Sequence, residues 1–407
     1  MMRIALVAHK FPPASLGGTE IYTRNLARAL SKDHEVAVFY RDDGDGGAFR
    51  EAWEERGGFR AWRVGRAFDA READPVPLFF DTFLNLDVEG SFKRFLDAFR
   101  PDLIHFQHLM LLSYRLIGQA KRRGLPCLLT LHDYWFICSN AQLVWPNGEI
   151  CAGKALGLNC ARCAAGRVRQ PLVHAALPLI APVFQLRDAL VRRAAMRADQ
   201  LLSPSTFLIE RYAQEGFPRE RFMALENGLD VSHIRAAAGR RERRPGERLR
   251  VTYLGSLAWQ KGVHVLVDGF RELPPERAVL RVYGSEQAFP EYAADLRARA
   301  NPSNTTFEGY VPNDEVGKVL AETDVLALPS LWYENSPVVI QEAQAAAVPV
   351  IASDLGALKE KVRDGVDGML VPPGDAAAWR ETLRRLLHEP ESVPAMRANA
   401  PEPLTIE

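Results

Sequence analysis

Short, fully apolar runs, each followed by a polar loop and a segment of helical period, constrain this chain more than any other feature. Ile4 to Ala8 is such a run. A loop from His9 to Gly18 follows, with two prolines and the pair Gly17-Gly18, and then Tyr22, Leu26, Ala29 and Leu30 recur at helical spacing. Strands covered on both faces read as continuous apolar runs, and a 3.6 period reads as a helix packed on them. Glu35 to Tyr40 supplies the next strand, so the chain opens as a βαβ unit of a parallel sheet.

The pattern continues. Phe92, Phe95, Leu96 and Phe99 form one helical face, and Pro101 introduces a strand from Asp102 to Gln107. A helix from Ser113 to Arg123 ends at Gly124, a residue suited to a C-cap. The strand Cys127 to Leu131 then delivers His132-Asp133 to its carboxyl end, where parallel sheets place ligands. Gln200 to Ser203 is expected to be the last strand of this half. Asp43 to Gly58, rich in glycine and charge, reads as a mobile loop, and Trp135 to Ala198 as the least regular stretch.

Charge-dense Arg235 to Arg250 marks the region of an interdomain link. Beyond it the alternation restarts: strands at Leu249–Leu254, Val279–Tyr283, Thr306–Gly309, Asp324–Leu328, Pro349–Ala352 and Met369–Val371, with a final helix from Asp375. A chain of 407 residues exceeds one ordinary core, so two domains are expected, 1–228 and 229–407.

Composition excludes several classes. Fifty-one basic and 51 acidic side chains give a formal net charge of zero, so nothing global points to nucleic acid. The start, MMRIALVAHKFPP, lacks a signal-peptide core, and the longest apolar stretch, Ala175 to Phe184, has about ten residues against the ~20 that span a bilayer. A cytoplasmic protein is expected. In that compartment five cysteines read as thiols or metal ligands. Cys138, Cys151, Cys160 and Cys163 fall in one irregular segment, the last two as C-x-x-C, and are candidates for a structural zinc site that pins a loop; four unrelated thiols is the alternative. Seven arginines and one acid, Asp188, lie between Ala161 and Ala198, with apolar residues among them. A solvated helix face is the plain reading, and a surface for a phosphorylated carrier or for anionic lipid head groups, as a peripheral contact at the inner membrane face, is the alternative.

The chemistry concentrates at Pro329 to Glu342, PSLWYENSPVVIQE, directly after an apolar strand. Ser336 is expected as an N-cap with Pro337 at the first helical position, which sets Glu334 just before a helix and Glu342 in its second turn. The positive end of that helix suits a phosphate. Paired carboxylates can also mean acid/base chemistry.

A resemblance carried by order and spacing bears on the choice. Gly17-Gly18-Thr19-Glu20, Leu131-His132-Asp133, Gly255-Ser256 with Lys261-Gly262, Pro329-Ser330, Glu334 and Glu342 with seven residues between, and Asp364-Gly365 with Gly368 before Val371-Pro372-Pro373-Gly374 together resemble the retaining glycosyltransferases of family 4. The resemblance runs over most of the chain. It implies an α/β GT-B fold, two Rossmann-like domains facing across a cleft, and sugar transfer from a nucleotide-sugar to an acceptor with retained configuration, in polysaccharide, glycolipid or metabolite glycosylation. It implies that Lys261 binds the diphosphate, Glu342 the ribose hydroxyls, and Glu334 with Asn335-Ser336 the donor sugar and phosphate. Gly17-Gly18 would let backbone approach the diphosphate and acceptor, and His132 would touch the donor sugar near the reacting carbon. Glu334 and Glu342 would then bind hydroxyls rather than act as acid and nucleophile. The acceptor is a saccharide, a lipid-linked or a small molecule, and catalysis needs no cofactor.

Two departures stand out. Ser256 occupies a place where many members carry arginine, leaving Lys261 as the main cation, and the family's last crossover helix is expected to be short or absent. A nucleotide-sugar epimerase and a non-catalytic nucleotide-sugar-binding module are the competing readings. His9, His105 and His108 are expected to be ordinary strand-end histidines, and an NAD-linked oxidoreductase is disfavoured because no G-x-G-x-x-G is present.

Overall fold

The structure, a computed structural model, describes residues 1–13, 15, 17–44, 49–65, 79–167, 177–237 and 246–406. They divide into two compact units, Met1–Asn227 with Ile406–Glu407, and Gly228–Thr405. Each carries a Rossmann-like sheet, as the alternation implies.

In the first unit, β1 (Arg3–Ala8), β2 (Glu35–Asp42), β3 (Arg50–Glu55), β4 (Arg60–Gly65), β5 (Leu103–Phe106), β6 (Cys127–Thr130), β7 (Gln200–Ser203) and β8 (Phe222–Ala224) form one sheet of order β3-β4-β2-β1-β5-β6-β7-β8. All neighbours are parallel except β3 and β4. The helices are α1 (Gly18–Leu30), α2 (Leu86–Phe99), α3 (Arg115–Arg122), α4 (Leu158–Arg167), α5 (Leu177–Ala195) and α6 (Thr206–Gln214). The expected stripe on α2 is its buried face: Phe92, Phe95, Leu96 and Phe99 are all buried, and Phe39 of β2 meets Phe92 edge-on at 5.1 Å. Asn85 caps α2 by accepting the Val88 amide at 3.2 Å.

Three expectations for this unit are corrected. The stretch read as a mobile loop holds β3, whose sequence REAWEE hides its pairing because a charged edge strand shows little apolar alternation (residues 45–48 lie outside the described ones). β7 is followed by a further strand, β8. The stretch read as irregular carries α4 and the 19-residue α5, which accommodates Pro182 in its first half.

In the second unit, β9 (Leu249–Leu254), β10 (Ala278–Tyr283), β11 (Thr305–Gly309), β12 (Val325–Leu328), β13 (Val350–Ser353) and β14 (Gly368–Val371) form an all-parallel sheet of order β11-β10-β9-β12-β13-β14. Its helices are α7 (Ser232–Ala237), α8 (Val263–Phe270), α9 (Pro290–Arg299), α10 (Val316–Ala321), α11 (Val338–Ala345), α12 (Leu358–Lys361), α13 (Ala376–His388) and α14 (Ser392–Ala398). Leu266, Phe270, Leu280, Val325, Trp379 and Leu383 lie in one buried cluster. Burying each large apolar side chain contributes about 1.5–3 kcal/mol. The division between units at Asn227 and Gly228 precedes the charge-dense stretch, which begins inside α7 (238–245 lie outside the described residues). The helix from Asp375 is not the last: α14 follows, and the Leu229 amide donates to the Leu404 carbonyl at 2.9 Å.

Both sheets reverse their strand order at one place. In the first, the chain moves outward from β1 to β2, then returns to lay β5 on the other side of β1. In the second, β9 has β10 on one side and β12 on the other. Loops leaving the carboxyl ends of such strand pairs diverge and leave a crevice, the usual ligand position of open α/β sheets.

Candidate active site

In the second unit the loops after β9 and β12 meet. Leu331 donates its amide to the Gln260 carbonyl at 2.8 Å, and Gly262 lies against Pro329. A β-carbon at Gly262 would come within 1.9 Å of the Pro329 carbonyl oxygen, and the residue has φ +68°, so glycine is required twice over. The seam delivers Lys261, the last residue of a single 3-10 turn (Trp259–Lys261), to the turn that carries Glu334.

Lys261 Nζ lies 2.7 Å from Glu334 Oε1. Ser330 Oγ and Trp332 Nε1 each donate to the same oxygen at 2.8 Å, and the ammonium sits 5.2 Å from the centre of the Trp332 ring. Burial alone would raise the Glu334 pKa, but Lys261, Trp332 and Ser330 outweigh it and hold it below its ordinary value. All three donors take Oε1, and Oε2 accepts nothing from the described residues. One edge of the carboxylate is thus held by three donors and the other has no partner among the described residues.

Glu342 differs. It is buried on α11, and its carboxylate has no hydrogen-bond or ion-pair partner among the described residues. Burial pushes its pKa up to about 7. A buried, unpartnered acid is costly unless something outside the protein satisfies it. The helix begins one residue later than the sequence suggests: Pro337 is the N-cap, α11 starts at Val338, and no side chain caps it. Ser336 Oγ is therefore not spent on the helix; it is buried without a protein partner. Asn335 stands beside it in the same turn, and Ser256 is exposed, its carbonyl accepting the Tyr253 hydroxyl at 2.8 Å.

In the first unit the strand ends bring together residues that spacing alone did not join. His9 after β1 lies against His108 after β5, ring centres 4.3 Å apart. His108 Nε2 donates to Asp133 Oδ2 at 2.8 Å, while the Met110 amide donates to Nδ1 at 3.1 Å. Burial opposes charge on His108, but Asp133 and Glu20 push its pKa up; the Met110 amide opposes the second proton. His9 is held neutral by burial and by His108. His132 Nε2 donates to Gln107 Oε1 at 2.7 Å, and its ring meets Tyr22 edge-on at 5.5 Å. Burial, then His108 and His105, lower the His132 pKa to about 3, so it is a neutral imidazole. His105 pairs with Thr130 Oγ1 at 2.7 Å, which agrees with an ordinary buried histidine.

Gly17 is the N-cap of α1 and Gly18 its first residue. The space beside Gly17 is filled from within: a β-carbon there would come 2.4 Å from Glu20 Oε2. Glu20 is buried, accepts from Ser15 Oγ at 2.9 Å and lies 3.6 Å from His9 Nε2. The sequence reading gave Glu20, His9 and His108 no role; the available signal was that His9 and His108 sit just beyond the carboxyl ends of β1 and β5, while Glu20 lies in the first turn of the helix that follows β1.

The four cysteines stay within one segment. Cys160 and Cys163 are one turn apart on α4, and Cys138 and Cys151 flank the small bridge between Val144 and Ile150. All are free thiols, and burial followed by Cys138 and Cys163 raises the Cys151 pKa. Among the described residues no group of three or more His, Cys, Asp or Glu side chains is placed to hold a metal ion.

The sequence pattern of Glycosyltransferase Family 4 matches residues 16–233, more than half of the chain. The chain belongs to glycosyltransferase family 4. A second pattern, Glycosyl transferases group 1, matches residues 235–402 of the enzyme. It is 25% identical to the glycogen synthase of Mycobacterium tuberculosis, over 99% of this chain and 90% of that one. It is 31% identical to the D-inositol 3-phosphate glycosyltransferase of Nocardia farcinica, over 58% of this chain and 57% of that one. Among solved structures it resembles sucrose-phosphate synthase from Thermosynechococcus elongatus, with TM-score 0.68, 20% identity and coverage of 98% and 93%. It also resembles HepE of Anabaena in complex with UDP and glucose, with TM-score 0.63, 18% identity and coverage of 98% and 94%. The enzyme is a retaining glycosyltransferase of GT-B fold that uses a nucleotide-sugar donor. No helix among its described residues is long and apolar enough to cross a membrane.

Proposed function

We propose that the donor is a nucleoside diphosphate sugar held by the loops after β9 and β12 and by α11, and that the first unit presents the acceptor. The observation that carries this reading is the contrast between the two carboxylates: Glu334 is half-satisfied and ionised, and Glu342 is buried and unsatisfied. Glu342 accepts from the two ribose hydroxyls, which supply the missing donors. Glu334 Oε2 accepts from a donor-sugar hydroxyl, and Lys261 keeps Oε1 while lying beside the diphosphate. Ser336 Oγ donates to a phosphate oxygen, and Asn335 lies alongside. Ser256 lines the same loop. Gly17 and Gly18 bring no side chains of their own to the amino end of α1; Glu20 fills the space beside Gly17, so a diphosphate or acceptor would approach backbone on the Gly18 side.

The chemistry follows from those positions. The bond between the anomeric carbon and the β-phosphate oxygen breaks, and negative charge grows on the leaving diphosphate. Lys261 and the start of α11 stabilise that charge before solvent must reorganise. The acceptor oxygen bonds to the same face of the anomeric carbon, and its proton passes to the leaving phosphate. His132, neutral, serves as a hydrogen-bond partner to the donor sugar and not as a proton store. The acceptor is a saccharide, a lipid-linked or a small molecule, and the protein works in the cytoplasm. Two solved structures of HepE hold UDP with glucose and UDP-glucose, which makes UDP-glucose the first donor to try.

The test is a panel of UDP-, GDP- and TDP-sugars with release of nucleotide, free sugar and epimer followed together. Slow donor hydrolysis that disappears in Glu342→Ala and Lys261→Ala supports the reading. Epimer without hydrolysis, or tight binding with no turnover under any acceptor, would replace it.

A further inference from the structure

The helix α5 is amphipathic in an unusual sense: both of its sides are apolar, and among the described residues only one is covered. Ala181, Phe184, Val191 and Ala194 face the unit and are buried. Leu179, Val183 and Leu186, spaced i, i+4, i+7, share the opposite face and are 81%, 37% and 60% exposed. That second stripe buries little within the unit, and contiguous exposed apolar side chains on a globular unit mark an interaction surface.

A second segment adds to it. In the loop before α4, Ala155 and Leu156 are both in the left-handed region, at φ +44° and +54°, and Leu156 is 80% exposed. Two successive non-glycine residues in that region persist only where surrounding contacts impose them. Those contacts are with α5: Gln185 Nε2 donates to the Leu156 carbonyl, and a β-carbon at Gly157 would come 2.4 Å from the Ala181 carbonyl oxygen. The exposed Leu156 is therefore held beside α5 rather than merely lying loose.

Charge selects the occupant. The chain as a whole is neutral, yet residues 153–198 contain eight lysines and arginines and a single acid, Asp188. Asp188 is buried, paired with Arg187 at 2.9 Å and Lys154 at 3.2 Å. Arg193 continues the stripe of Leu179 and Leu186 at heptad spacing, and Arg162 is exposed on α4, which packs along α5. Neither has a hydrogen bond or ion pair among the described residues. (Arg169, in the same basic stretch, lies outside the described residues.) Exposed leucines beside unneutralised arginines fit a surface that is apolar beneath and anionic on top.

We propose that the outward face of α5, with Leu156 beside it, docks this enzyme on an anionic lipid bilayer. The helix lies in the interface plane: its leucines enter the acyl boundary, and Arg193 and Arg162 meet lipid phosphates. Docking there deepens the proposed function by naming where an acceptor embedded in a bilayer is met, and rests on that reading for this alone; the docking itself does not depend on turnover.

The test is flotation of the full chain with vesicles of phosphatidylcholine alone and with about 30% phosphatidylglycerol, at about 0.1 M and about 0.5 M salt. The protein is expected to float with the anionic vesicles and to be released by the higher salt. Leu179→Glu with Leu186→Glu, and separately Arg162→Glu with Arg193→Glu, are each expected to weaken partitioning by about tenfold or more, with melting unchanged because all four positions are exposed. Arg162→Gln with Arg193→Gln serves if the glutamate pair fails to fold. Failure of the unaltered protein to float, or variants that float equally well, overturns the proposal. So does light scattering that shows a dimer broken by Leu179→Glu, since the face would then be a contact between two copies. Loss of flotation with donor hydrolysis intact separates this surface from the donor site.

Discussion

Lys261 and Glu334 are 73 positions apart in sequence and 2.7 Å apart in space. The pair forms because two loops of one sheet reversal are stitched together, and it leaves a buried carboxylate dependent on one ammonium. Lys261→Ala is therefore expected to destabilise the protein by about 3 kcal/mol, the usual consequence of stranding one member of a buried pair. Glu334→Gln placed on top should recover part of that loss, which a double-mutant cycle in urea will show. The acid side moves too. Glu334 has a depressed pKa, so its pairing contributes stability above its unfolded value of 4.5 and loses it as pH falls through the lower folded value. In Lys261→Ala the acid transition should begin at higher pH.

Glu342 carries the opposite sign. Its folded pKa of about 7 lies above the unfolded 4.5, so the native state keeps a proton that the unfolded chain has released. Stability falls as pH rises through that window, and Glu342→Gln should remove the fall, stabilising the protein above pH 7 by about 3 kcal/mol. Denaturation at pH 5 and pH 8 will show whether the gap widens with pH. An equal gap at both would end the assignment.

The same acid predicts how donor affinity varies with pH. On the proposed reading ribose hydroxyls donate to the ionised carboxylate, so binding would expel its proton. UDP-glucose, whose diphosphate does not titrate here, should bind about tenfold more weakly for each pH unit below 7 and level off above it. Calorimetry on Glu342→Gln should give weak binding with no such slope.

Gly262→Ala tests the seam directly. The added carbon meets the Pro329 carbonyl, and the backbone must also hold φ +68° with a side chain present. A loss of about 1–3 kcal/mol is expected from the strained backbone alone, before the clash is counted. Donor hydrolysis should fall further than in a variant of equal stability elsewhere, because Lys261 moves with its neighbour.

His132, lowered to about 3 by burial and its neighbouring histidines, stays neutral between pH 5 and 9. A pH–rate profile between 5 and 9 should therefore be the same shape in His132→Asn as in the parent, at a lower plateau. A limb near pH 6.5 that vanishes with His132 would make it a proton carrier instead.

The sheet strands were legible because a strand covered on both faces has no choice but to be apolar: residues 4–8 and Leu249–Leu254 announce themselves. Lys261, Glu334 and Glu342 were legible through the spacing of a family pattern. β3 was not, since Arg50, Glu51, Glu54 and Glu55 take their structure from hydrogen bonds to β4 and not from burial. α5 was obscured by Pro178 and Pro182 and by leucines on both of its faces. The contact of His9 with His108 was invisible for a different reason: it depends on β5 lying next to β1, and strand order is a property of the whole chain that no local spacing records.

The seam at Gly262 and Pro329 also separates two kinds of sequence change. It fixes where the loops after β9 and β12 cross, while residues 257–260 on one side and 331–333 on the other hang from that crossing. On the proposed reading, substitutions in those short arms would reshape the wall around a donor sugar without disturbing the junction. The junction tolerates almost nothing. A lineage, or an engineer, seeking a new donor would find its variation confined to two brief stretches anchored at a single glycine.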